Sequence, residues 1–125
     1  MENADWFKFN NFAKNEFECP CCGREEMDRE FLKKLQNARI IADVGFPINS
    51  GFRCPAHNKK VGGEENSSHL RGHAADIKVR SSRARHQILQ ALFLLGFNRI
   101  GIYPTFIHVD NDPDLPVSVV WVKKD

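Results

Sequence analysis

The segment SSHLRGHAADI, residues 67–77 of this 125-residue chain, contains two histidines and an aspartate. His69, His73 and Asp76 lie within eight residues of sequence, and Gly72 between them allows the chain to turn back tightly. Polar side chains packed this closely beside small residues indicate a site. The alternative is a loop whose histidines are merely solvated.

Regular structure is predicted on the C-terminal side of this segment. HAADIKV, residues 73–79, alternates enough to form a strand, and Ser81 or Ser82 can cap a helix that follows. Gly96 is placed to end that helix. Its apolar stripe consists of Ala84, Ile88, Ala91, Leu92 and Leu95.

The N-terminal side begins with an arm, residues 1–20, that leads into the body of the chain. EEMDREFLKKLQNARIIADVG, residues 25–45, predicts a helix that Asp28 caps and Gly45 ends. The buried face of this helix is predicted to hold Phe31, Leu32, Leu35, Ala38 and Ala42. FPINSGF then predicts a short strand, and RCPAHNKKVGGEENSSH predicts a long polar loop.

Three β-rich segments, RIGIY, TFIHVD and VSVVWV, complete the chain and are separated by Pro and Asp turns. Such segments are typical of an antiparallel sheet. Because helices dominate early and strands late, the predicted fold class is α+β. The length of 125 residues predicts one domain that spans residues 1–125.

The composition excludes several classes of protein. Hydrophobic residues make up 42% and charged residues 27%, which is typical of a globular domain, and a formal charge of +2 is too small to imply nucleic acid. The N-terminal sequence MENADWFKFNNF has no apolar run of signal-peptide length. We therefore expect a cytoplasmic product at synthesis, without membrane insertion. We also expect the protein to be a monomer.

A metal site needs two or three imidazoles or carboxylates that converge on one point and leave a position for water. His69 and Asp76 can supply two, and His108 in TFIHVD can supply the third. In a strand, apolar Ile107 and Val109 would face away from His108. The alternation therefore places Phe106, His108 and Asp110 on one face.

These residues resemble a known family. INSGFRCPAHNKKVGGEENSSHLRGHAADI, together with GIYPTFIHVD, is similar to the M15 zinc peptidases, which include D-alanyl-D-alanine carboxypeptidases and phage L-alanyl-D-glutamate endopeptidases. The pattern S-x-H-x-x-G-x-A-x-D is present as Ser67, His69, Gly72, Ala74 and Asp76, and H-V-D as residues 108–110. The resemblance implies the hedgehog/DD-peptidase fold, an antiparallel sheet with helices packed on one side.

The resemblance also implies roles for individual residues. His69, Asp76 and His108 match the family's three zinc ligands, so the implied cofactor is Zn²⁺. Arg53 matches an arginine that grips the substrate's carboxylate. Several relatives carry an acidic general base where this chain has Thr105. Asp110 is the replacement candidate, unless it orients a ligand instead.

Three further residues are assigned to the site. His73 is a candidate catalytic residue that could hydrogen-bond the tetrahedral intermediate or a ligand carboxylate, or it could be an ordinary loop histidine. Ser67 and Ser68 are candidate substrate-binding residues, although capping of backbone groups in the loop is the simpler role for both. His57 and His86 are interpreted as surface residues, and Trp6 and Trp121 as core.

The resemblance predicts a zinc metallopeptidase that cleaves stem peptides of bacterial peptidoglycan, at the D-Ala-D-Ala or the L-Ala-D-Glu bond. Without an export signal, it would suit a phage lysis enzyme released through a separate membrane pore of the holin type. The main alternative is a zinc-stabilised binding module for cell wall or protein. A nucleic-acid-binding zinc knuckle ranks last, because the chain lacks the necessary basic and aromatic clustering.

Four cysteines remain outside this assignment. Cys19 and Cys22 have the C-x-x-C spacing of a metal knuckle, and Cys54 or Cys21 could complete a second, structural zinc site. No distant C-x-x-C partner is present. Free thiols in a reducing compartment are the simpler interpretation.

Overall fold

The structure is a computed structural model that describes residue 6 and residues 8–123. In chain order its elements are α1 (Arg29–Ala42), β1 (Ile48–Ser50), α2 (Pro55–Lys60), β2 (Ala74–Lys78), α3 (Ser82–Leu94), β3 (Arg99–Ile102), β4 (Phe106–Asp110) and β5 (Val119–Val122). Short 3₁₀ turns occur at Lys14–Glu16 and Ser68–Arg71. The first five residues of the predicted arm and its residue 7 lie outside the described part of the chain.

The five strands form one sheet in the order β1-β2-β4-β3-β5. All neighbouring pairs are antiparallel except β3 and β5, which run parallel. The parallel pair arises because β4 ends beside the start of β3, where residues 111–118 carry the chain to the free edge of β3. The predicted α+β class is confirmed, with this one departure from a fully antiparallel sheet.

Helix α1 begins where the sequence predicts and ends earlier. The Asp28 side chain accepts a hydrogen bond from the Phe31 amide, as an N-cap does. The helix ends at Ala42 because Asp43 adopts a left-handed conformation, with φ of 55°. The prediction that Gly45 ends the helix was wrong, since an aspartate can take the left-handed conformation usually occupied by glycine.

Helix α3 follows its predicted signals. Ser81 is the N-cap and accepts from the Ala84 amide, and Gly96 has a φ of 85° just beyond the helix end. Ile88, Ala91 and Leu92 are buried, whereas Ala84 and Leu95 at the two ends of the predicted stripe are only half-buried.

The segment predicted as a long polar loop contains a short helix, so that prediction was wrong. Pro55 occupies the first turn of α2, where its missing N–H costs no hydrogen bond. The sequence of α2, PAHNKK, has no apolar stripe to reveal it. A 3₁₀ turn, Ser68–Arg71, lies at the end of the same segment.

The hydrophobic core lies on one face of the sheet. Ala75 and Ile77 of β2, with Ile107 and Val109 of β4, point into it. The helices and the arm supply the other large side chains: Phe31, Leu32, Leu35, Ile88, Leu92, Phe9, Phe12 and Phe17. Strand alternation turns the residues between them to the opposite face, where the candidate site lies. None of the helices described is both long and apolar enough to span a membrane.

Candidate metal centre

The structure brings His69, Asp76 and His108 together. His69 Nε2 lies 3.3 Å and His108 Nδ1 lies 3.0 Å from Asp76 Oδ1. One ligand atom from each residue lies within 4.8 Å of the other two. Two ligands at zinc bonding distance and tetrahedral angle are about 3.3–3.4 Å apart, so the donor set and its spacing fit zinc.

Adjacent elements hold the three side chains. Asp76 of β2 pairs directly with His108 of β4, which places both on the face away from the core. His69 stands on the 3₁₀ turn before β2, and Gly72 ends this turn with a φ of 74°. A side chain at Gly72 would also collide with the backbone carbonyl of Glu26, so the turn requires glycine.

Hydrogen bonds set the tautomer of each histidine. His69 Nδ1 lies 2.7 Å from the Gly51 carbonyl oxygen, which can only accept, so Nδ1 carries the proton and Nε2 is free to bind a metal. In His108, Nε2 donates to Asp110 Oδ2 over 2.7 Å, which directs Nδ1 toward Asp76. Both rings therefore present an unprotonated nitrogen to the same point once a cation is bound.

Asp110 is fully buried and both of its oxygens are occupied. Oδ1 accepts from Arg99 Nε at 2.7 Å and from the Asp112 amide at 3.2 Å. Oδ2 accepts from His108 and, at 3.4 Å, from the Ser68 hydroxyl. Burial raises the pKa of Asp110, but hydrogen bonding to His108 and the nearby Arg99 charge outweigh it and hold this pKa below its usual range.

The electrostatics of the centre favour a cation. Burial lowers the pKa of His108, but hydrogen bonds to Asp110 and Asp76 raise it to about 9 in the metal-free chain. Burial raises the pKa of Asp76, whereas its hydrogen bonds with His108 and His69 hold it well below the usual range. A metal ion at this point would replace the His108 Nδ1 proton, which faces Asp76, and leave the Nε2 proton on its bond to Asp110.

Arg53 contacts the metal centre through a hydrogen bond to Asp76. Its Nη2 donates to Asp76 Oδ2 at 3.3 Å, Nε to Ser50 Oγ at 3.1 Å and Nη1 to Asn58 Oδ1 at 3.1 Å. A guanidinium has five N–H groups, so these three bonds leave two for a ligand. Arg53 also lines the cavity beside the metal ligands.

The two serines and His73 take different positions. Ser67 caps the 3₁₀ turn by accepting from the His69 amide, and both Ser67 and Ser68 line the cavity. His73 lies elsewhere: its Nδ1 is 2.9 Å from Asn111 Oδ1 and 3.8 Å from Asp28 Oδ2. Among the described residues, His73 is not part of the cavity wall.

The cavity has a volume of about 490 Å³ and an aromatic wall that the sequence interpretation missed. Tyr103 and Phe106 stack with ring centroids 4.3 Å apart, and Trp121 Nε1 donates to the Tyr103 hydroxyl at 3.2 Å. The assignment of Trp121 to the core was wrong: it is half-buried and lines the cavity. Trp6, by contrast, is buried as predicted.

Gly101 in strand β3 is the sequence feature that could have predicted the aromatic wall of the cavity. A Cβ on Gly101 would lie 2.5 Å from ring atoms of Trp121, so the indole lies directly against the bare backbone. A glycine inside a strand often marks such a close approach.

Comparisons with known proteins agree with this geometry. A family model described as Peptidase M15 matches residues 10–110. The zinc D-Ala-D-Ala carboxypeptidase of Streptomyces albus G is 40% identical over 68 residues, which cover 54% of this chain. The match spans only 26% of the length of that relative.

Proposed function

Because this chain belongs to the peptidase M15 family, we propose that it is a zinc-dependent metallopeptidase that hydrolyses peptide bonds in peptidoglycan stem peptides. The observation that carries the proposal is the convergence of His69, Asp76 and His108 beside an open cavity. The name of the Streptomyces albus G relative, a zinc D-Ala-D-Ala carboxypeptidase, supports both the metal and the substrate class.

The three ligand side chains would hold the ion, and their neighbours would keep them in place. Bound zinc supplies a Lewis acid and lowers the pKa of a coordinated water to about 7. Gly51 and Asp110 fix the two imidazole rings, and Arg53 holds the second oxygen of Asp76. Little rearrangement of the protein is then needed for the centre to form.

The cavity fits a peptide that ends in a carboxylate. Arg53 has two N–H groups beyond its three hydrogen bonds, and Lys123 adds another cation to the wall beside Arg53 and Arg99. The stack of Tyr103 and Phe106, with Trp121 beside it, offers an apolar surface for alanine methyl groups. Both candidate bonds, D-Ala-D-Ala and L-Ala-D-Glu, belong to peptides that carry such carboxylates.

We assign Asp110 to orientation of His108 rather than to proton transfer. Its two oxygens already accept hydrogen bonds from His108, Ser68, Arg99 and the Asp112 amide, so they are held by the protein rather than presented to a water molecule. In the part of the chain that the structure describes, Glu64 is the other carboxylate of the cavity wall outside the metal ligands, and it is exposed. Glu64 is therefore our candidate for the general base, with Arg53 as the residue that grips the substrate.

The pH dependence of kcat distinguishes Glu64 from Asp110 as the general base. If Glu64 accepts the proton, Glu64→Gln lowers kcat sharply and removes the acidic limb of the pH profile, while zinc affinity is unchanged. Loss of that limb in Asp110→Asn, with normal zinc affinity, would return the role of base to Asp110.

The proposed function is tested on purified peptidoglycan. Zinc-loaded protein is incubated with the polymer, and the released fragments are identified by mass. We expect release of D-alanine or of fragments with new amino termini, complete loss in His69→Ala, and full activity in His86→Ala, a surface histidine. His73→Ala should also remain active, because His73 lies outside the cavity wall.

A binding module is the second candidate, and Thr105 is the observation that favours it. No acidic residue stands at this position three residues before His108. If wild-type protein binds zinc and sediments with peptidoglycan but releases nothing, the binding function replaces the enzymatic one.

The proposal also keeps the sequence-based expectations of a monomer and of a phage lysis enzyme released through a holin-type pore.

A further inference from the structure

A second cluster of metal-ligating side chains lies outside the candidate metal centre. The sulfur atoms of Cys19, Cys22 and Cys54 lie within 4.8 Å of one another. Cys19 and Cys54, which are 35 positions apart in sequence, are both buried, with their Sγ atoms 3.6 Å apart. Cys22 is exposed at the edge of the cluster. Chain folding has therefore collected three thiols that the proposed peptidase reaction does not use.

The local backbone has the form of a metal knuckle. In the sequence CPCCG, residues 19–23, the Gly23 amide donates to the Cys19 carbonyl at 2.7 Å and Gly23 has a φ of 73°. The Cys19 amide donates to the Arg24 carbonyl at 2.8 Å. This tight turn places Cys19 and Cys22 on the same side, as the C-x-x-C spacing requires for one ion.

Backbone N–H groups around the Cys19 sulfur favour its thiolate form. The Cys54 amide lies 3.5 Å from Cys19 Sγ. Burial raises the pKa of the Cys19 thiol, but hydrogen bonds from the backbone N–H groups of Cys54, Cys22 and Cys21 lower it to about 7. Metals bind thiolates rather than thiols, and an amide N–H directed at the sulfur stabilises that form.

We propose that Cys19, Cys22 and Cys54 form a structural site for a soft divalent metal ion, with zinc as the expected occupant. Sulfurs that share one zinc at about 2.3 Å in tetrahedral geometry are about 3.8 Å apart, close to the observed 3.6 Å. Each thiol releases one proton to solvent when it binds. Among the described residues three sulfur atoms meet here, so solvent would complete the coordination of the ion.

The proposed site connects the arm to the loop that carries Arg53. Cys54 is the N-cap of α2 and directly follows Arg53. The same loop is joined to the arm by the Phe52 amide, which donates to the Phe17 carbonyl at 3.0 Å. A metal shared by Cys19 and Cys54 would fix the end of this loop, and with it the guanidinium that contacts Asp76.

Cobalt(II) is a suitable probe, because thiolate ligands give it a charge-transfer absorption that nitrogen and oxygen ligands do not. Metal-free, reduced full-length protein is titrated with cobalt(II). We expect two ions per chain and the thiolate band in the wild type. His69→Ala should bind one ion and keep the band, so the result does not depend on the proposed peptidase function.

The cysteine variants identify the ligands. Cys22→Ser is expected to lose the band and bind one ion, whereas Cys21→Ser, the matched control in the same turn, keeps both ions. Zinc should raise the melting temperature of His69→Ala but not that of the double variant with Cys22→Ser. A wild type without the band, an unchanged band in Cys22→Ser, or a Cys19–Cys54 disulfide in zinc-loaded protein would overturn the proposal.

Discussion

Replacement of Asp110 by asparagine tests how the metal ligands are held. An amide has one acceptor oxygen, whereas the Asp110 carboxylate accepts from His108 on one oxygen and from Arg99 on the other. In either orientation of the amide, its NH₂ group faces one of these two donors. If it faces His108, the imidazole is driven toward the tautomer that carries its proton on Nδ1, the nitrogen required for zinc.

The size of the effect follows from burial. Loss of a carboxylate that orients a metal-binding histidine typically weakens metal affinity by about 10–100-fold, which is roughly 1.4–2.7 kcal/mol. The Arg99 side chain is only 11% exposed and would lose its charged partner. Breaking a buried ion pair in this way costs about 3–5 kcal/mol of folding stability, so Asp110→Asn must be assayed well below its melting temperature.

Asp112→Asn is the matched control, because Asp112 is another buried carboxylate two residues away that pairs with an arginine. Its Oδ2 accepts from Arg71 Nε at 2.8 Å, and the Arg71 side chain is 28% exposed. We expect a smaller loss of stability, about 1.5–3 kcal/mol, and unchanged zinc affinity. Affinity is measured by competition with a chelator on protein shown to be folded by circular dichroism. Equal zinc affinity in the two variants would refute the orienting role of Asp110.

Three other substitutions probe the cavity wall, the Glu25–Arg29 ion pair and the turn at Gly72. Gly101→Ala should displace Trp121 from the cavity and raise KM for wall peptides while zinc affinity stays unchanged; an unaltered KM would show that the indole does not contact substrate. Burial raises the pKa of Glu25, but hydrogen bonds, chiefly from Arg29, hold it below the ordinary 4.5. Glu25 therefore contributes stability above about pH 4.5 that is lost as pH falls through its lowered pKa, so Glu25→Gln should destabilise the protein more at pH 7 than at pH 3 in urea unfolding. Gly72→Ala should cost several kcal/mol of stability, because its left-handed turn has no room for a side chain; a loss below about 1 kcal/mol would contradict the described turn.

Local signals predicted much of the fold. The ends of the helices are decided by short-range hydrogen bonds and backbone preferences. Helix caps are found as predicted at Asp28 and Ser81, and Gly96 lies just beyond the end of α3 as predicted. The alternation in TFIHVD correctly placed His108 and Asp110 on one face, where they are hydrogen-bonded. These features depend only on residues a few positions apart.

Apart from the His69, Asp76 and His108 set, features that depend on distant contacts were not predicted. Trp121 reaches the cavity because β5 pairs in parallel with β3, a result of the path of residues 111–118 rather than of the β5 sequence. The sequence left open whether Cys54 or Cys21 joins Cys19 and Cys22, because the proximity of Cys54 to Cys19 depends on the whole intervening chain. Helix α2 was missed because a polar helix of six residues has no apolar period.

The central claim is that His69, Asp76 and His108 hold one zinc ion that remains open to the cavity. Anomalous diffraction at the zinc absorption edge, from crystals grown with zinc, tests it most directly. The account predicts a peak bonded to His69 Nε2, His108 Nδ1 and the Asp76 carboxylate, with solvent as the remaining ligand. A peak enclosed by four protein ligands at this point, or no peak there at saturating zinc, would contradict it.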